Sequence, residues 1–195
     1  MSHSRSREMD LTTGSPFWSL LKFAIPVILG NLFQLFYTLA DSVIVGKTLG
    51  AESLAAVGST SIIIYFVFCF INGFTGGFGI CLGQRCGAKD EQGMRKSIAV
   101  STLLSIAFTV VLTLVCCLLS RQILVWMQIP DDIAEEANAY MFVVLLGTGA
   151  TVFYNMISNM LRALGDSKTP LYFLVFSSVL NIILDIVFIV PMHMG

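Results

Sequence analysis

Long apolar blocks, separated by short polar segments, make up most of this chain. Five of these blocks have the length that a membrane-crossing helix needs, at residues 17–45, 54–83, 97–119, 138–164 and 170–191. An α-helix of about 20 residues spans a hydrocarbon core roughly 30 Å thick. The pattern therefore predicts an all-α, polytopic membrane protein with five transmembrane helices. A polar segment precedes them at 1–16, and a short end follows at 192–195.

Composition narrows the choice of protein class. Of the 195 residues, 56% are hydrophobic and 12% are charged, whereas soluble domains carry about 25% charged residues. The sequence has no basic patch with interleaved aromatic residues, which is the pattern that indicates nucleic-acid binding. No pair among the five cysteines has C-x-x-C spacing, which argues against a disulfide framework or a zinc site. We therefore expect a membrane protein without a nucleic-acid partner.

The basic residues predict how the chain is oriented in the membrane. Short loops rich in Lys and Arg stay in the cytoplasm. Nine basic residues fall on one side of the five blocks and two on the other: Arg5, Arg7, Lys22, Arg85, Lys89, Arg95, Lys96, Arg162 and Lys168 against Lys47 and Arg121. The N-terminus is therefore predicted to be cytoplasmic, and the fifth span to end outside.

The fifth apolar block contains Asn181 and Asp185, four residues apart. Residues at this spacing lie on one helix face. A carboxylate inside a membrane costs at least about 2.5–3.5 kcal/mol, and a span that retains one usually turns it toward a bundle interior or a water-filled cavity. The block therefore predicts a polar site between helices.

The first apolar block carries a polar stripe of its own. Pro26 lies early in this block, where its missing N–H removes a backbone hydrogen bond and predicts a kink. The stripe follows at spacings of three and four residues, which place its members on one helix face. It consists of Asn31, Gln34, Thr38 and Asp41, with Tyr37 at its border. The fourth block similarly carries Thr151, Asn155, Asn159 and Arg162.

The predicted orientation places Asp41 and Asp185 at one depth. Both spans run outward, and each acid lies about four or five residues before the end of its span. At 1.5 Å per residue, both lie roughly 6–8 Å inside the outer boundary. Two acids at one depth can share a cavity, where they bind a cation or one of them holds a proton. The alternative is two structural acids, each hydrogen-bonded to a neighbouring helix.

Four segments of the chain resemble the N-terminal half of multidrug and toxic compound extrusion (MATE) transporters. They are IPVILGNLFQLFYTLADSVIVGKTLGAESLAAVG at 25–58, GQRCGAKD at 83–90, LRALGDSKTP at 161–170 and NIILD at 181–185. Their order and spacing make the resemblance specific, and it extends from about residue 20 to 190. It implies five helices of a six-helix N-terminal lobe. The sixth span and the whole second lobe would be absent, as expected for a fragment or a truncated reading frame.

The resemblance also implies a function. MATE proteins are not enzymes and use no cofactor; they are antiporters of the cell membrane that export organic cations, drugs or other xenobiotics in exchange for Na⁺ or H⁺. The partners implied are an organic cation or amphipathic substrate, the lipid bilayer and the C-terminal half of the transporter. The residues implied are Asp41, Asn181 and Asp185 for Na⁺ or H⁺ coupling, Gln34, Tyr37 and Asn155 in the substrate cavity, and Pro26 for helix bending.

Three other functions remain open from the sequence. A lipid or lipid-linked saccharide flippase of the same superfamily would line its cavity with several cations, whereas only Arg162 is a candidate here. An intramembrane aspartyl protease also pairs two membrane acids, but its second acid lies in G-x-G-D. This chain has Ala163-Leu164-Gly165-Asp166 in a loop instead. A non-transporting assembly partner is the third alternative.

Overall fold

Six helices form most of the chain in the computed structural model, which describes residues 15–48 and 51–189. Within those ranges, the side chains of residues 16, 45, 48, 51–54, 131, 132, 185 and 189 are not described. The predicted end at 192–195, and all of the predicted polar segment except residues 15 and 16, therefore lie outside the described residues. The helices are α1 (Pro16–Thr48), α2 (Ala51–Gly87), α3 (Glu91–Trp126), α4 (Asp131–Leu146), α5 (Thr148–Ala163) and α6 (Lys168–Ile189).

The apolar blocks form the membrane-crossing parts of these helices. Among the described residues, α1, α2, α3 and α6 are each long and apolar enough to cross a membrane, and α4 with α5 forms a fifth candidate. This confirms the prediction of a helical, polytopic membrane protein. Within the described residues the number of candidate spans is four, or five if the α4–α5 pair crosses as one, and the cytoplasmic N-terminus stays a prediction.

The fourth predicted span is broken at Gly147. The axes of α4 and α5 differ by 43° there. Gly147, Thr148 and Gly149 are three successive residues of low helix propensity. A Cβ at Gly149 would lie 3.2 Å from Cγ2 of Thr109 on α3, so the glycine permits a close approach at the bend. The break gives α5 a direction different from that of α4.

The largest buried core surrounds α2, which packs against α3, α4 and α5. Ile71 on α2, Met141 on α4 and Val152 on α5 are fully buried in this core. Helices α2 and α5 approach closely because position 79 is glycine: a Cβ there would lie 3.1 Å from the carbonyl oxygen of Asn159. These four helices therefore form one packed unit.

Helix α1 lies outside that unit and packs mainly against α6. Its Gly30 is buried against the side chains of Leu171 and Leu174. The contacts of α1 with α2, and of α6 with α5, are much less extensive. The α1–α6 pair is therefore separated from the α2–α5 unit by a gap, and this gap contains the polar site described below.

The turn between α2 and α3 is fixed by Asp90. Its Oδ1 accepts a hydrogen bond from the Gly93 N–H at 2.9 Å, which caps α3. Its Oδ2 pairs with Nη1 of Arg85 at 2.9 Å. The Gly93 N–H and then the Arg85 guanidinium hold the pKa of the Asp90 carboxyl below its usual value. This stabilisation is present above the unfolded-state pKa of about 3.9 and is lost as the pH falls through the lowered folded-state pKa.

Gly93→Ala is expected to destabilise the chain. A methyl group there would overlap the Asp90 carboxylate and the Arg85 guanidinium, and loss of a helix cap costs about 1 kcal/mol. Gly58→Ala is the matched control, because Gly58 is an exposed glycine within α2 and an added Cβ meets nothing within 4 Å. It is expected to be neutral or to stabilise by up to about 1 kcal/mol. Thermal unfolding in detergent compares the two variants, and equal shifts would contradict this account of the turn.

Candidate functional site

A cavity of about 450 Å³ lies between the α1–α6 pair and the α2–α5 unit. Its polar lining comes from four helices, α1, α2, α5 and α6. Helix α1 contributes Asn31, Gln34 and Tyr37; α2 contributes Asn72; α5 contributes Thr151, Tyr154, Asn155, Ser158 and Arg162; and α6 contributes Ser177, Ser178 and Asn181. Polar residues that the sequence spreads over 150 positions thus surround one space. Apart from Arg162, this lining consists of neutral amides and hydroxyls.

Four of the predicted site residues line this cavity: Gln34, Tyr37, Asn155 and Asn181. Asn155 is oriented by its own helix, because its Nδ2 donates a hydrogen bond to the Thr151 carbonyl at 2.8 Å. The structure thus brings the predicted cavity residues of α1 and α5 together with Asn181 of α6.

Asn181 has an unsatisfied acceptor. Its Oδ1 is buried and accepts no hydrogen bond. A buried polar atom without a partner costs about 1–3 kcal/mol, and a bound group that donates to this oxygen or is coordinated by it would remove that cost. An amide oxygen suits a hard cation such as Na⁺, and it equally accepts a proton from a protonated carboxyl.

Asp41 lies four residues after Tyr37 on α1 and is half-buried. It is not among the residues that line the cavity, but it interacts electrostatically with Tyr37 and with Tyr140 of α4. The sequence did not point to Tyr140, because a single tyrosine in the apolar stretch of α4 has no polar companion at helical spacing. The structure adds it as a neighbour of the first-span acid.

The main chain of Asp185 lies in α6, four residues after Asn181, while its side chain is outside the described residues. Short turns join successive spans, so α1 and α6 run in the same direction. Gly30 lies beside Leu174, and eleven residues further along each helix are Asp41 and Asp185. The main chains of the two acids are therefore at about the same level.

Asn159 occupies a different place from the one its spacing predicts. It does not line the cavity, and its Nδ2 donates instead to Oγ1 of the buried Thr75 on α2 at 3.2 Å. At about 100° per residue, Asn159 is rotated roughly 80° from Thr151, whereas Arg162 is rotated only about 20°. The face shared by Thr151, Asn155 and Arg162 therefore excludes Asn159, which joins α5 to α2.

Pro26 lies inside α1, which continues through it as one helix. The proline leaves the carbonyl of Lys22 without its helical donor. Pro26 is half-buried and four residues before Gly30, which places it on the side of α1 that packs on α6. A change of bend at Pro26 would therefore move the α1 stripe relative to α6.

The described residues contain no group of three or more His, Cys, Asp or Glu side chains that would form a metal site. The cavity supplies amide, hydroxyl and phenol oxygens, with Asp41 nearby, and oxygen donors of this kind can bind Na⁺ or a proton.

Comparisons with known proteins place the chain among bacterial transporters. A family model described as MatE matches residues 26–187. The Bacillus subtilis (strain 168) "Probable multidrug resistance protein YpnP" is 34% identical over 186 residues, which cover 95% of this chain and 42% of that protein. The Thermotoga maritima "Probable multidrug resistance protein NorM" is 26% identical and is covered over 36% of its length. The chain thus spans less than half the length of these relatives.

Solved structures agree in fold and extent. A crystal structure of MATE in complex with MaD5 superimposes with a TM-score of 0.89 at 30% identity, over 97% of this chain and 43% of that one. A MOP superfamily transporter from Pyrococcus furiosus, whose binding pocket is described as having reverse polarity, gives 0.88 at 31% identity, over 95% and 41%. The chain therefore belongs to the MatE family, the multidrug and toxic compound extrusion transporters, whose members are multi-pass membrane transporters and not enzymes.

Proposed function

We propose that this chain supplies the cation-coupling lobe of an antiporter that exports organic cations or other amphipathic xenobiotics in exchange for Na⁺ or H⁺. In this proposal Asp41, Asn181 and Asp185 receive the coupling ion. Gln34, Tyr37 and Asn155 face the substrate, and Pro26 lets α1 change its bend. The relatives are more than twice as long as the region they share with this chain, so we propose a second lobe as the partner.

The observation that carries the proposal is the buried Oδ1 of Asn181, which accepts no hydrogen bond. It lines the same cavity as Gln34 and Tyr37 of α1, and Asp41 is one turn beyond Tyr37. The register of α1 and α6 brings the main chains of Asp41 and Asp185 to one level. An amide acceptor one turn before the level of two carboxylate-bearing positions suits an ion or proton that is bound and released.

The lining of the cavity favours export of cationic solutes over flipping of lipid-linked saccharides. A transporter of polyanionic lipids needs several cationic side chains, and Arg162 is the one cation in the described lining.

A role as an intramembrane aspartyl protease has a specific obstacle. The Asp166 carboxylate caps α6, accepting hydrogen bonds from the N–H groups of Lys168 and Thr169 at 3.1 and 3.0 Å.

The test is Asn181→Ala in the fused transporter, which we define as this chain joined in frame to the C-terminal part of the Bacillus subtilis relative. Removal of one neutral ligand is expected to raise the half-saturating concentration of the coupling ion about three- to tenfold. Asn72→Ala is the control, because Asn72 lines the same cavity and its Nδ2 donates to the Phe68 carbonyl at 2.9 Å. Equal ion dependence in wild type and Asn181→Ala would count against the proposed site.

A further inference from the structure

Arg162 forms one end of the cavity. The cavity follows α5 from Ala150 to Arg162, twelve residues or about 18 Å of helix. Arg162 is half-buried, and its Nε is buried and donates no hydrogen bond. The ion pair found among the described residues, between Arg85 and Asp90, lies elsewhere. A guanidinium with an unsatisfied donor therefore faces a polar space.

A structural role at the end of α5 does not account for this guanidinium. Basic side chains near a helix C-terminus often bind its last carbonyls. Here backbone groups already do so: the Leu164 N–H donates to the Met160 carbonyl at 3.1 Å, and the Asp166 N–H donates to the Leu161 carbonyl at 2.9 Å. The Arg162 carbonyl itself accepts from Gly165 at 3.0 Å. Three of the last four carbonyls of α5 therefore have backbone partners without the side chain.

The two ends of the cavity differ in the charge that they suit. Helix α5 ends one residue after Arg162, and α6 begins at Lys168 after a four-residue turn. Asn181 lies thirteen residues into α6, about 20 Å from its start. Near Asn181 the cavity has the unsatisfied amide oxygen of that residue. Asp41 and Asp185 lie one helical turn further along α1 and α6. Near Arg162 the group is a cation, and its planar fork matches carboxylate and phosphate.

We propose that Arg162 is an anion subsite, so that this cavity takes zwitterionic amphipathic solutes. Their carboxylate or phosphate binds Arg162, and their cationic group lies toward Asn181. The proposal rests on the proposed function, since it assumes that solutes enter this cavity. A buried N–H donor without a partner is costly, and a bound anion removes that cost. The phosphate of a lipid headgroup offers the same chemistry as a solute phosphate.

The test uses two dyes that differ by one methyl ester. Tetramethylrhodamine carries a cation and a carboxylate, and its methyl ester carries the cation alone. Their binding to the purified 195-residue chain in phosphatidylcholine nanodiscs is measured by fluorescence anisotropy, with empty nanodiscs subtracted. Wild type is expected to bind the zwitterion about tenfold more tightly than the ester, because hydrogen bonds to charged groups have that order of effect.

Arg162→Gln is expected to abolish this preference and to leave the affinity for the ester within about twofold. Arg121→Gln is the matched control, an exposed arginine on α3 that does not line the cavity, and it is expected to keep the preference. Equal affinity of wild type for both dyes, or a preference that persists in Arg162→Gln, would overturn the anion subsite. In either case unchanged binding of the ester would leave the proposed function standing, whereas no binding of either dye to wild type would count against both.

Arg162→Lys is a second variant, which distinguishes loss of the anion subsite from a failure of Arg162→Gln to fold. It keeps the charge without the fork, and it is expected to bind the ester normally and the zwitterion two- to fivefold more weakly than wild type does. If both Arg162 variants lose binding of the ester as fully as binding of the zwitterion, the residue has a structural role and the proposal fails.

Phosphatidylglycerol added to the nanodiscs tests whether a lipid phosphate reaches the subsite. If it does, phosphatidylglycerol is expected to weaken binding of the zwitterion alone. Weakening of both dyes to the same extent would contradict the subsite.

Discussion

Asp185→Asn and Asp41→Asn are each expected to reduce gradient-driven export by the fused transporter to background. Each change removes one negative charge and keeps nearly the same side-chain shape. Binding of a cation beside Asn181 then loses a charged ligand, and a proton loses one of the two carboxylates that could hold it. Because export draws its energy from ion entry, loss of the ion site should stop net transport even where the substrate still binds. Uptake of a fluorescent organic cation into inverted vesicles measures the effect.

Glu91→Gln is the control for these two variants. Glu91 is an exposed carboxylate in the first turn of α3, and it does not line the cavity. It is expected to transport at the wild-type rate, and all variants should reach the membrane in equal amounts. Normal transport by Asp185→Asn would show that the carboxylate is structural or irrelevant, and the account of the coupling site would then fail.

The 195-residue chain by itself is expected to show no gradient-driven transport. Alternating access requires one lobe to move against another around a shared site, and this chain matches about 42% of the length of the Bacillus subtilis relative. Five polar residues of the cavity lining are exposed in the chain alone: Asn31, Gln34, Asn72, Tyr154 and Ser177. Polar groups that meet lipid are costly, so the isolated chain is also expected to self-associate in detergent.

Reconstitution of the chain beside the fused transporter tests this prediction. Uptake of the fluorescent cation is measured with and without a Na⁺ or proton gradient, and the Asp185→Asn form of each protein serves as the background. Gradient-dependent uptake by the 195-residue chain that the substitution abolishes would show that it works alone, and the proposed need for a second lobe would be wrong.

Much of the fold follows from the sequence because membrane helices have strong local determinants. Apolar length predicts the spans, and the three- and four-residue spacing of Gln34, Tyr37 and Asp41 predicts which side of α1 is polar. Pro130 followed by two acidic residues is likewise typical of a helix start, and α4 begins at Asp131. These features depend on one helix at a time, so a single chain segment contains the information.

Features that depend on how helices meet were not predictable. The bend at Gly147 arises where three weak helix formers lie beside α3, and composition alone does not separate a bend from a packing glycine. Tyr140 becomes a neighbour of Asp41 only through the arrangement of α1 and α4. Asn159 follows Asn155 by four residues, and only the contact between α5 and α2 shows that its amide meets Thr75. Whether Arg162 faces solvent, a helix end or the cavity likewise depends on the packing of α5.

The central claim is that ion movement and substrate movement are coupled through Asp41, Asn181 and Asp185. The most direct measurement loads vesicles containing the fused transporter with substrate and records Na⁺ or proton flux driven by the substrate gradient alone. The account predicts an opposing ion flux in wild type and in Glu91→Gln, and none in Asp185→Asn. An ion flux of wild-type size in Asp185→Asn would contradict it.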